Sequence, residues 1–202
     1  MTEAGQNSFM KGWQRVARRI RVPLGFAAAA VYLWQLVDRR PHPAPVAWSL
    51  ALVLPGLLLR SYASGYVRKN TELTMTGPYA YVRNPLYLGS ILIAAGFAVA
   101  LMSVPFAIAL GVFFLLIYVP VIASEEAFLR EEFLEFEWYC ARVPRLIPRP
   151  TPVRSPDGSF GRGDAGKFSF ALYRKHREYN SAKGAALLYL SLLLGMLWHS
   201  AH

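Results

Sequence analysis

Cysteine is nearly absent from this sequence, because Cys140 is the single one among 202 residues, and histidine occurs only four times. One cysteine excludes a disulfide within the chain and a zinc site built from cysteines. The isolated His42 is expected to be solvated, so we expect no metal site. Cys140 is expected to pack as a small apolar residue on the helix that contains Phe136 and Tyr139.

Acidic residues are scarce as well: 12 aspartates and glutamates stand against 22 lysines and arginines, which gives a net charge of +10. The sequence has no metal-ligand spacing, no aromatic-rich strand motif and no basic helix free of membrane context, so we expect no nucleic-acid partner. The positive charge instead indicates membrane topology and attraction to anionic lipid headgroups. No convincing small-residue cleavage site follows the first apolar run, which argues against a cleavable signal.

Apolar residues, by contrast, make up 54% of the chain. A soluble protein of this length cannot bury many long apolar helices, so we predict an all-α integral membrane protein of the inner or plasma membrane with about five transmembrane helices. Only Arg39 and Arg40 of the lysines and arginines fall in segments assigned to the outer side, which predicts a cytoplasmic N-terminus. The five apolar stretches are 22–37, 44–59, 85–102, 104–123 and 184–198.

The chain is predicted to have four parts. Residues 1–21 place apolar residues at helical spacing among lysines and arginines, which predicts an interfacial basic amphipathic helix. Residues 22–148 form the transmembrane core, including a cytoplasmic helix after span four that Ser124 is predicted to cap. Residues 149–182 are predicted to be a flexible basic connector and a surface helix, because 149–167 are rich in Pro, Gly, Arg and Ser and 168–179 mix aromatic with basic residues. Residues 183–202 form the C-terminal transmembrane helix.

The most informative stretch is 76–89, Thr-Gly-Pro-Tyr-Ala-Tyr-Val-Arg-Asn-Pro-Leu-Tyr-Leu-Gly, where a polar segment meets an apolar one. Gly77-Pro78 predicts a turn, and Asn84-Pro85 predicts the start of a helix that the Asn84 side chain caps. A helix N-terminus attracts anionic groups, and Arg83 reinforces that attraction. The alternative interpretation is an interfacial aromatic belt with a snorkelling arginine.

A second polar cluster, Glu125-Glu126, follows the next pair of apolar stretches, which are joined by Met102-Ser-Val-Pro105. That connection is short enough to require a tight antiparallel hairpin, so we expect both polar clusters at the same membrane face. The segment 71–76 alternates apolar and polar side chains, which predicts extended backbone suited to contacts with an adenine ring. An ordinary connecting loop is the alternative.

These motifs resemble those of the isoprenylcysteine carboxyl methyltransferase and phospholipid methyltransferase superfamily. The pattern Gly-x-Tyr-x-x-x-Arg-Asn-Pro-x-Tyr is similar to the family's Arg-His-Pro-x-Tyr region, with Asn84 in place of the usual histidine. The family's second signature is a Glu-Glu pair followed by an aromatic-rich helix that ends in Val-Pro, here Glu125-Glu126 and Val143-Pro144. The resemblance covers roughly residues 44–150.

The resemblance implies methyl transfer from S-adenosylmethionine to a lipid-like or amphipathic acceptor at the cytoplasmic face, with membrane lipids as partners. Arg83 and Glu126 are the expected catalytic residues: Arg83 would orient an acidic acceptor, and Glu126 would take a proton from an amine. Val121 stands where the family's carboxyl methyltransferases carry a basic residue, which argues against a prenylcysteine acceptor. The expected cofactor-binding residues are Thr71, Glu72, Leu73, Thr74, Tyr79, Asn84, Pro85, Leu86, Tyr87 and Glu125.

Two other interpretations stay open at this point. Sterol reductases resemble this family in their C-terminal half, so an NADPH-dependent lipid reductase is one, with Arg142, Arg145 and Arg149 as the phosphate-binding cluster. A non-catalytic membrane scaffold, whose motifs only reflect topology, is the other.

Overall fold

A computed structural model describes residues 25–37, 41–68, 72–154 and 166–201 of the chain. These residues form helices joined by turns and loops, and no strand occurs among them. The predicted all-α class is therefore confirmed for the described part of the chain. The predicted amphipathic helix at 1–21 lies outside the described residues.

Three helices are long and apolar enough to cross a membrane, as expected of an integral membrane protein. They are α2 (Pro43–Ser64), α4 (Val104–Glu132) and α7 (Tyr179–Ala201). Two shorter apolar helices, α1 (Gly25–Val37) and α3 (Pro85–Leu101), occupy the predicted first and third spans. Within the described ranges, the five predicted spans thus appear as three helices of spanning length and two shorter ones. Two short helices, α5 (Phe136–Arg142) and α6 (Phe170–Lys175), complete the set described here.

Helix α4 continues past the point where a new helix was predicted. Ser124 lies inside α4 and not at a helix start, so the predicted cap is wrong; nothing around it interrupts the backbone ladder. The break comes at Phe133, whose extended backbone (φ −125°, ψ 117°) separates α4 from α5. A π-helical turn at Phe114–Tyr118 ends two residues before Pro120, which lacks the N–H that an α-helix would use.

Helices α3 and α4 form the predicted tight hairpin. Met102 ends α3 in the left-handed region (φ 48°), and the Ser103 hydroxyl caps α4 by accepting a hydrogen bond from the Phe106 N–H at 3.3 Å. The same hydroxyl donates to Gln35 Oε1 of α1 at 2.7 Å. This end of the molecule therefore holds the end of α1 and the α3–α4 turn, and the opposite end holds Asn84 and Glu125.

Helix α3 packs closely against α2 through glycines. A Cβ atom on Gly56 would lie 2.8 Å from the Gly89 carbonyl oxygen, and one on Gly89 would lie 2.7 Å from the Gly56 carbonyl oxygen. A Cβ on Gly96 would meet Val53 and lie 3.0 Å from the Ser49 carbonyl oxygen. These residues are small because the two backbones touch, as in many membrane helix pairs.

Candidate functional site

The loop before α3 is built on the predicted Gly77-Pro78 turn. Gly77 has φ 58°, a conformation that side chains disfavour, and it begins a 3₁₀ turn that ends at Ala80. Three backbone N–H groups tie this loop to the chain after α5: Arg83 donates to the Pro144 carbonyl at 2.9 Å, Arg149 to Tyr81 at 3.0 Å and Val153 to Ala80 at 2.9 Å. The hydroxyl of Tyr139 adds a bond of 2.7 Å to the Tyr79 carbonyl. Helix α5 and the segment that follows it therefore hold the loop that carries Arg83 in place.

Asn84 stands at the N-cap position of α3, and Pro85 is the first helical residue, as predicted. The predicted capping by its side chain is wrong, because the amide makes no hydrogen bond to the helix. It donates instead to Glu126 Oε1 at 3.3 Å and to the Arg145 carbonyl at 3.2 Å. These two bonds orient the amide towards Glu126 and Arg145, and the first is charge-assisted, so the side-chain oxygen that a cap requires accepts no bond from the N–H groups of the helix.

Glu126 is the centre of a buried ionic cluster. It is 4% exposed, and Arg145 Nε donates to both of its carboxylate oxygens at 3.1 Å. Arg83 Nη1 lies 3.5 Å from Oε1. The hydrogen bond with Glu126 raises the pKa of Arg145 above its ordinary value, so this partner stays charged. A buried carboxylate needs such partners, and two guanidinium groups with one amide supply them here.

Its neighbour Glu125 has a different environment. Glu125 is exposed and accepts a hydrogen bond of 2.8 Å from the Tyr87 hydroxyl, which joins α4 to α3. The Tyr87 ring meets the Tyr118 ring edge-on, with 5.3 Å between centroids. Glu125 therefore keeps oxygen lone pairs available to a ligand, whereas those of Glu126 are used by the protein.

A cavity of about 610 Å³, here called the polar cavity, lies between the two clusters. Of the predicted site residues, Thr71 lies outside the described residues, and all the others line this cavity. They are Glu72, Leu73, Thr74, Tyr79, Arg83, Asn84, Pro85, Leu86, Tyr87, Glu125 and Glu126. The hairpin thus brings residues that are about forty positions apart in the sequence around one space.

Two donors that line the polar cavity have no hydrogen-bond partner among the described residues. They are the Tyr79 hydroxyl and Arg83 Nε, and both are buried. Burial raises the pKa of the Tyr79 phenol well above its ordinary value, so it keeps its proton and can donate it. A buried donor without a partner costs about 1–3 kcal/mol, so a ligand with acceptor oxygens or nitrogens would be stabilised here. The carboxylate, ribose and adenine of S-adenosylmethionine carry such acceptors.

Four residues on this cavity or beside it are functional candidates that were not among the predicted catalytic and cofactor-binding residues of a methyltransferase. Arg60 and Glu178 line the cavity, as does Tyr118, and Arg145 binds Glu126. A buried Glu126 needs a cation beside it, and this requirement could have indicated Arg145 as its partner. No sequence pattern indicates Glu178, because it is 118 positions from its partner Arg60.

A second cavity of about 560 Å³, here called the apolar cavity, lies between α3 and α4. Ala94, Ala95 and Ala98 line it from α3, and Leu110 and Phe114 are among the residues of α4 that face them. It shares Ser90 and Tyr118 with the polar cavity, so those two residues border both cavities.

The arginines expected to bind NADPH have other contacts. The Arg142 guanidinium lies 4.2 Å from the Trp138 ring centroid, and Arg149 Nη1 donates to the Arg142 carbonyl at 3.0 Å. With Arg145 paired to Glu126, none of these three lines the polar cavity among the described residues.

Cys140 lies next to the ionic cluster. Arg83 Nη1 donates a hydrogen bond to its sulfur, and burial raises the pKa of the Cys140 thiol. The described residues contain no group of three or more His, Cys, Asp or Glu side chains that could hold a metal ion.

Comparisons with known proteins agree with this geometry. Residues 57–135 match the sequence profile of a family described as phospholipid methyltransferase, which confirms the resemblance drawn from the motifs. The matched range contains both Arg83 and the Glu125-Glu126 pair.

Two curated relatives are similar over part of the chain. The nickel-cobalt-cadmium resistance protein NccN of Alcaligenes xylosoxydans xylosoxydans is 40% identical over 94 residues, which cover 46% of this chain and 43% of the relative. The cobalt-zinc-cadmium resistance protein CzcN of Cupriavidus metallidurans is 39% identical over 88 residues, covering 44% and 40%. The aligned part therefore spans less than half the length of each relative. No solved structure matches the chain.

Proposed function

We propose, from the match of residues 57–135 to the phospholipid methyltransferase family, that this protein is an S-adenosylmethionine-dependent membrane methyltransferase with a lipid-like or amphipathic acceptor. The observation that carries the proposal is the polar cavity, because both family motifs line it and it holds two unpaired buried donors. A scaffold whose motifs only reflect topology would have no reason to keep such donors unpaired.

The residues of the polar cavity suit the parts of S-adenosylmethionine, which supplies a methyl group on a positively charged sulfur when bound. Leu73 and Leu86 offer apolar surface to an adenine ring. The Tyr79 hydroxyl and Arg83 Nε offer donors to a carboxylate or a ribose. Glu125 offers negative charge to an ammonium or sulfonium group. Glu126 holds Arg83, Asn84 and Arg145 in place.

The apolar cavity supports a lipid-like acceptor. It lies between two apolar helices and shares Ser90 and Tyr118 with the polar cavity, so the polar end of a hydrocarbon chain bound there would lie towards the polar cavity. Methyl transfer is a direct displacement that depends mainly on alignment and on exclusion of water. The part of this chain in the reaction is therefore to hold and orient both molecules.

The charge distribution supports a cytoplasmic polar cavity. Arg60, Arg68 and Arg83 line it, and the opposite end of the described helices presents the neutral Gln35–Ser103 pair. Because positively charged segments stay inside, we propose that the cavity opens to the cytoplasm and that the N-terminus lies on the same side.

Ligand-dependent thermal stability of the full chain in detergent tests this function. We expect S-adenosylhomocysteine to raise the melting temperature and NADPH to leave it unchanged, because a ligand at about 100 times its Kd stabilises by about 2.7 kcal/mol. Stabilisation by NADPH alone, or by neither compound, would contradict the proposal.

Substitutions at two residues of the polar cavity test whether S-adenosylhomocysteine binds there. Glu125→Gln and Tyr87→Ala should weaken the S-adenosylhomocysteine shift while the protein still inserts and purifies. Glu137→Gln is the matched control, because it removes a carboxylate from an exposed ion pair with Arg130 outside the cavity. Wild-type shifts in both cavity variants would remove Glu125 and Tyr87 from the site.

A further inference from the structure

Arg60 connects three helices at the edge of the polar cavity. Its Nε and Nη2 bind the Glu178 carboxylate, with Nη2 to Oε2 at 2.8 Å, and Nε also donates to the Ser181 hydroxyl at 3.2 Å. Its Nη1 donates to the Leu86 carbonyl at 3.1 Å and to the Ser90 hydroxyl. Each nitrogen of the guanidinium therefore has a partner, and those partners lie on α3 or on the C-terminal segment.

The C-terminal segment is docked so that Glu178 faces Arg60. Ser169 N–H donates to the Gly65 carbonyl at 2.8 Å, and the Phe168 ring stacks on Tyr62 at 5.8 Å between centroids. Arg177 then adopts the left-handed conformation (φ 54°), which costs a non-glycine residue energy and turns the chain between α6 and α7. A strained residue directly before a half-buried acid indicates that the position of Glu178 matters.

The Arg60–Glu178 pair is well shielded for an ion pair at a helix end. The side chains are 21% and 13% exposed, and the Ser181 hydroxyl also donates to Glu178 at 3.2 Å. Two contacts on one carboxylate limit the directions in which the guanidinium can point, because a bidentate pair fixes the plane of the arginine. Glu178 therefore sets the direction of Nη1, which donates to the Ser90 hydroxyl, and that hydroxyl in turn donates to the Leu86 carbonyl at 3.0 Å.

Ser90 is one of the two residues shared by the polar and the apolar cavity. We propose that Glu178 is a positioning residue, which acts through Arg60 on Ser90 to hold open the junction where the polar end of an acceptor meets the cofactor space. This inference rests on the proposed function and extends it to the C-terminal segment, which lies outside the family match at 57–135.

A double-mutant cycle of Glu178→Gln and Ser90→Ala in the full chain tests the inference. Transfer of label from S-adenosyl-[methyl-³H]methionine to vesicles of host lipid extract is measured with S-adenosylhomocysteine affinity and melting temperature. Glu178→Gln should lower transfer about tenfold and Ser90→Ala about fivefold, with affinity within about twofold of wild type, since each removes one hydrogen-bonded partner at the junction. The double variant should lose about as much as Glu178→Gln alone, because the two residues act as one unit.

The outcomes separate positioning from a purely structural role. The inference would be overturned if the loss of transfer in the double variant equalled the product of the two single losses. It would also be overturned if the loss of transfer were matched by an equal loss of S-adenosylhomocysteine affinity. Wild-type transfer by Glu178→Gln would overturn it as well. If Glu178→Gln does not fold, Ser90→Ala decides, because it leaves the ion pair intact and wild-type transfer would exclude the junction. Glu137→Gln serves as the control for loss of an exposed pair. A wild-type protein that binds no S-adenosylhomocysteine would instead refute the proposed function.

Discussion

The two faces of α3 use small residues for opposite purposes. On one face, Gly89 and Gly96 let α2 approach until an added Cβ would meet backbone atoms. On the other face, Ala94, Ala95 and Ala98 leave room for the apolar cavity of about 560 Å³ between α3 and α4. Small side chains in a membrane helix therefore indicate either contact or space, and only the neighbouring helix decides which of the two results.

Substitutions at the adjacent residues Ala95 and Gly96 test this difference between the two faces most sharply. The largest effect on stability is expected at Gly96. Gly96→Leu should destabilise the protein by more than about 3 kcal/mol, because the added atoms meet Val53 and the Ser49 carbonyl in a packed interface. Ala95→Leu points into the apolar cavity and should fold like the wild type. Yields of monodisperse protein and melting temperatures in detergent measure both. Equal melting temperatures for the two variants would contradict the assignment of the faces.

The paired glutamates of α4 make a similar comparison at the polar end. Glu126→Gln should lower the free energy of unfolding by about 2–3 kcal/mol, since it leaves the 14%-exposed Arg83 without its carboxylate. This value is below that for a fully buried pair because the other partner, Arg145, is 46% exposed. Glu125→Gln should leave stability within about 0.5 kcal/mol, as is usual at exposed sites. Thermal unfolding at several detergent conditions checks both, and equal losses would show that the two glutamates have the same role.

Filling the apolar cavity should weaken use of the acceptor and leave cofactor binding unchanged. We expect Ala95→Leu to reduce methyl transfer to host lipid about tenfold while S-adenosylhomocysteine affinity stays within about twofold of wild type, because the added side chain takes up space for a hydrocarbon chain. Transfer and binding assays on one preparation give both values. An unchanged transfer rate would mean that the acceptor does not use this cavity.

The smallest effect is expected at Cys140. Cys140→Ser keeps an acceptor for Arg83 Nη1 and changes little volume, so S-adenosylhomocysteine affinity should stay within about twofold of wild type. Because burial raises the pKa of the thiol, alkylation of the native protein at pH 7 should be slow and should speed up as pH rises towards that pKa. Rapid alkylation at pH 7 with loss of binding would contradict this account.

Sequence reasoning found the parts of this molecule that depend on local rules. The Gly77-Pro78 turn, the start of α3 at Pro85 and the α3–α4 hairpin follow from backbone preferences, and the hairpin was enough to bring Arg83 and Glu125 to one end. These features need no knowledge of distant segments.

The errors and omissions concern competition between partners. Asn84 was predicted to cap a helix, but its amide nitrogen donates to the buried carboxylate of Glu126, 42 positions away, and this bond orients the side chain away from the helix N–H groups. Ser124 was predicted to cap a new helix. The backbone hydrogen bonds of the preceding helix continue past it, however, so Ser124 lies inside that helix. Glu178 reaches Arg60 only through the docked C-terminal segment, which no local pattern describes.

The most direct test is an experimental structure of the full chain with S-adenosylhomocysteine added in detergent or nanodiscs. We expect S-adenosylhomocysteine to lie in the polar cavity, with Tyr79 Oη and Arg83 Nε within hydrogen-bond distance of it and Glu125 on the side of its charged end. S-adenosylhomocysteine bound elsewhere, or Arg83 and Glu125 lining separate spaces with no cavity between them, would contradict this expectation.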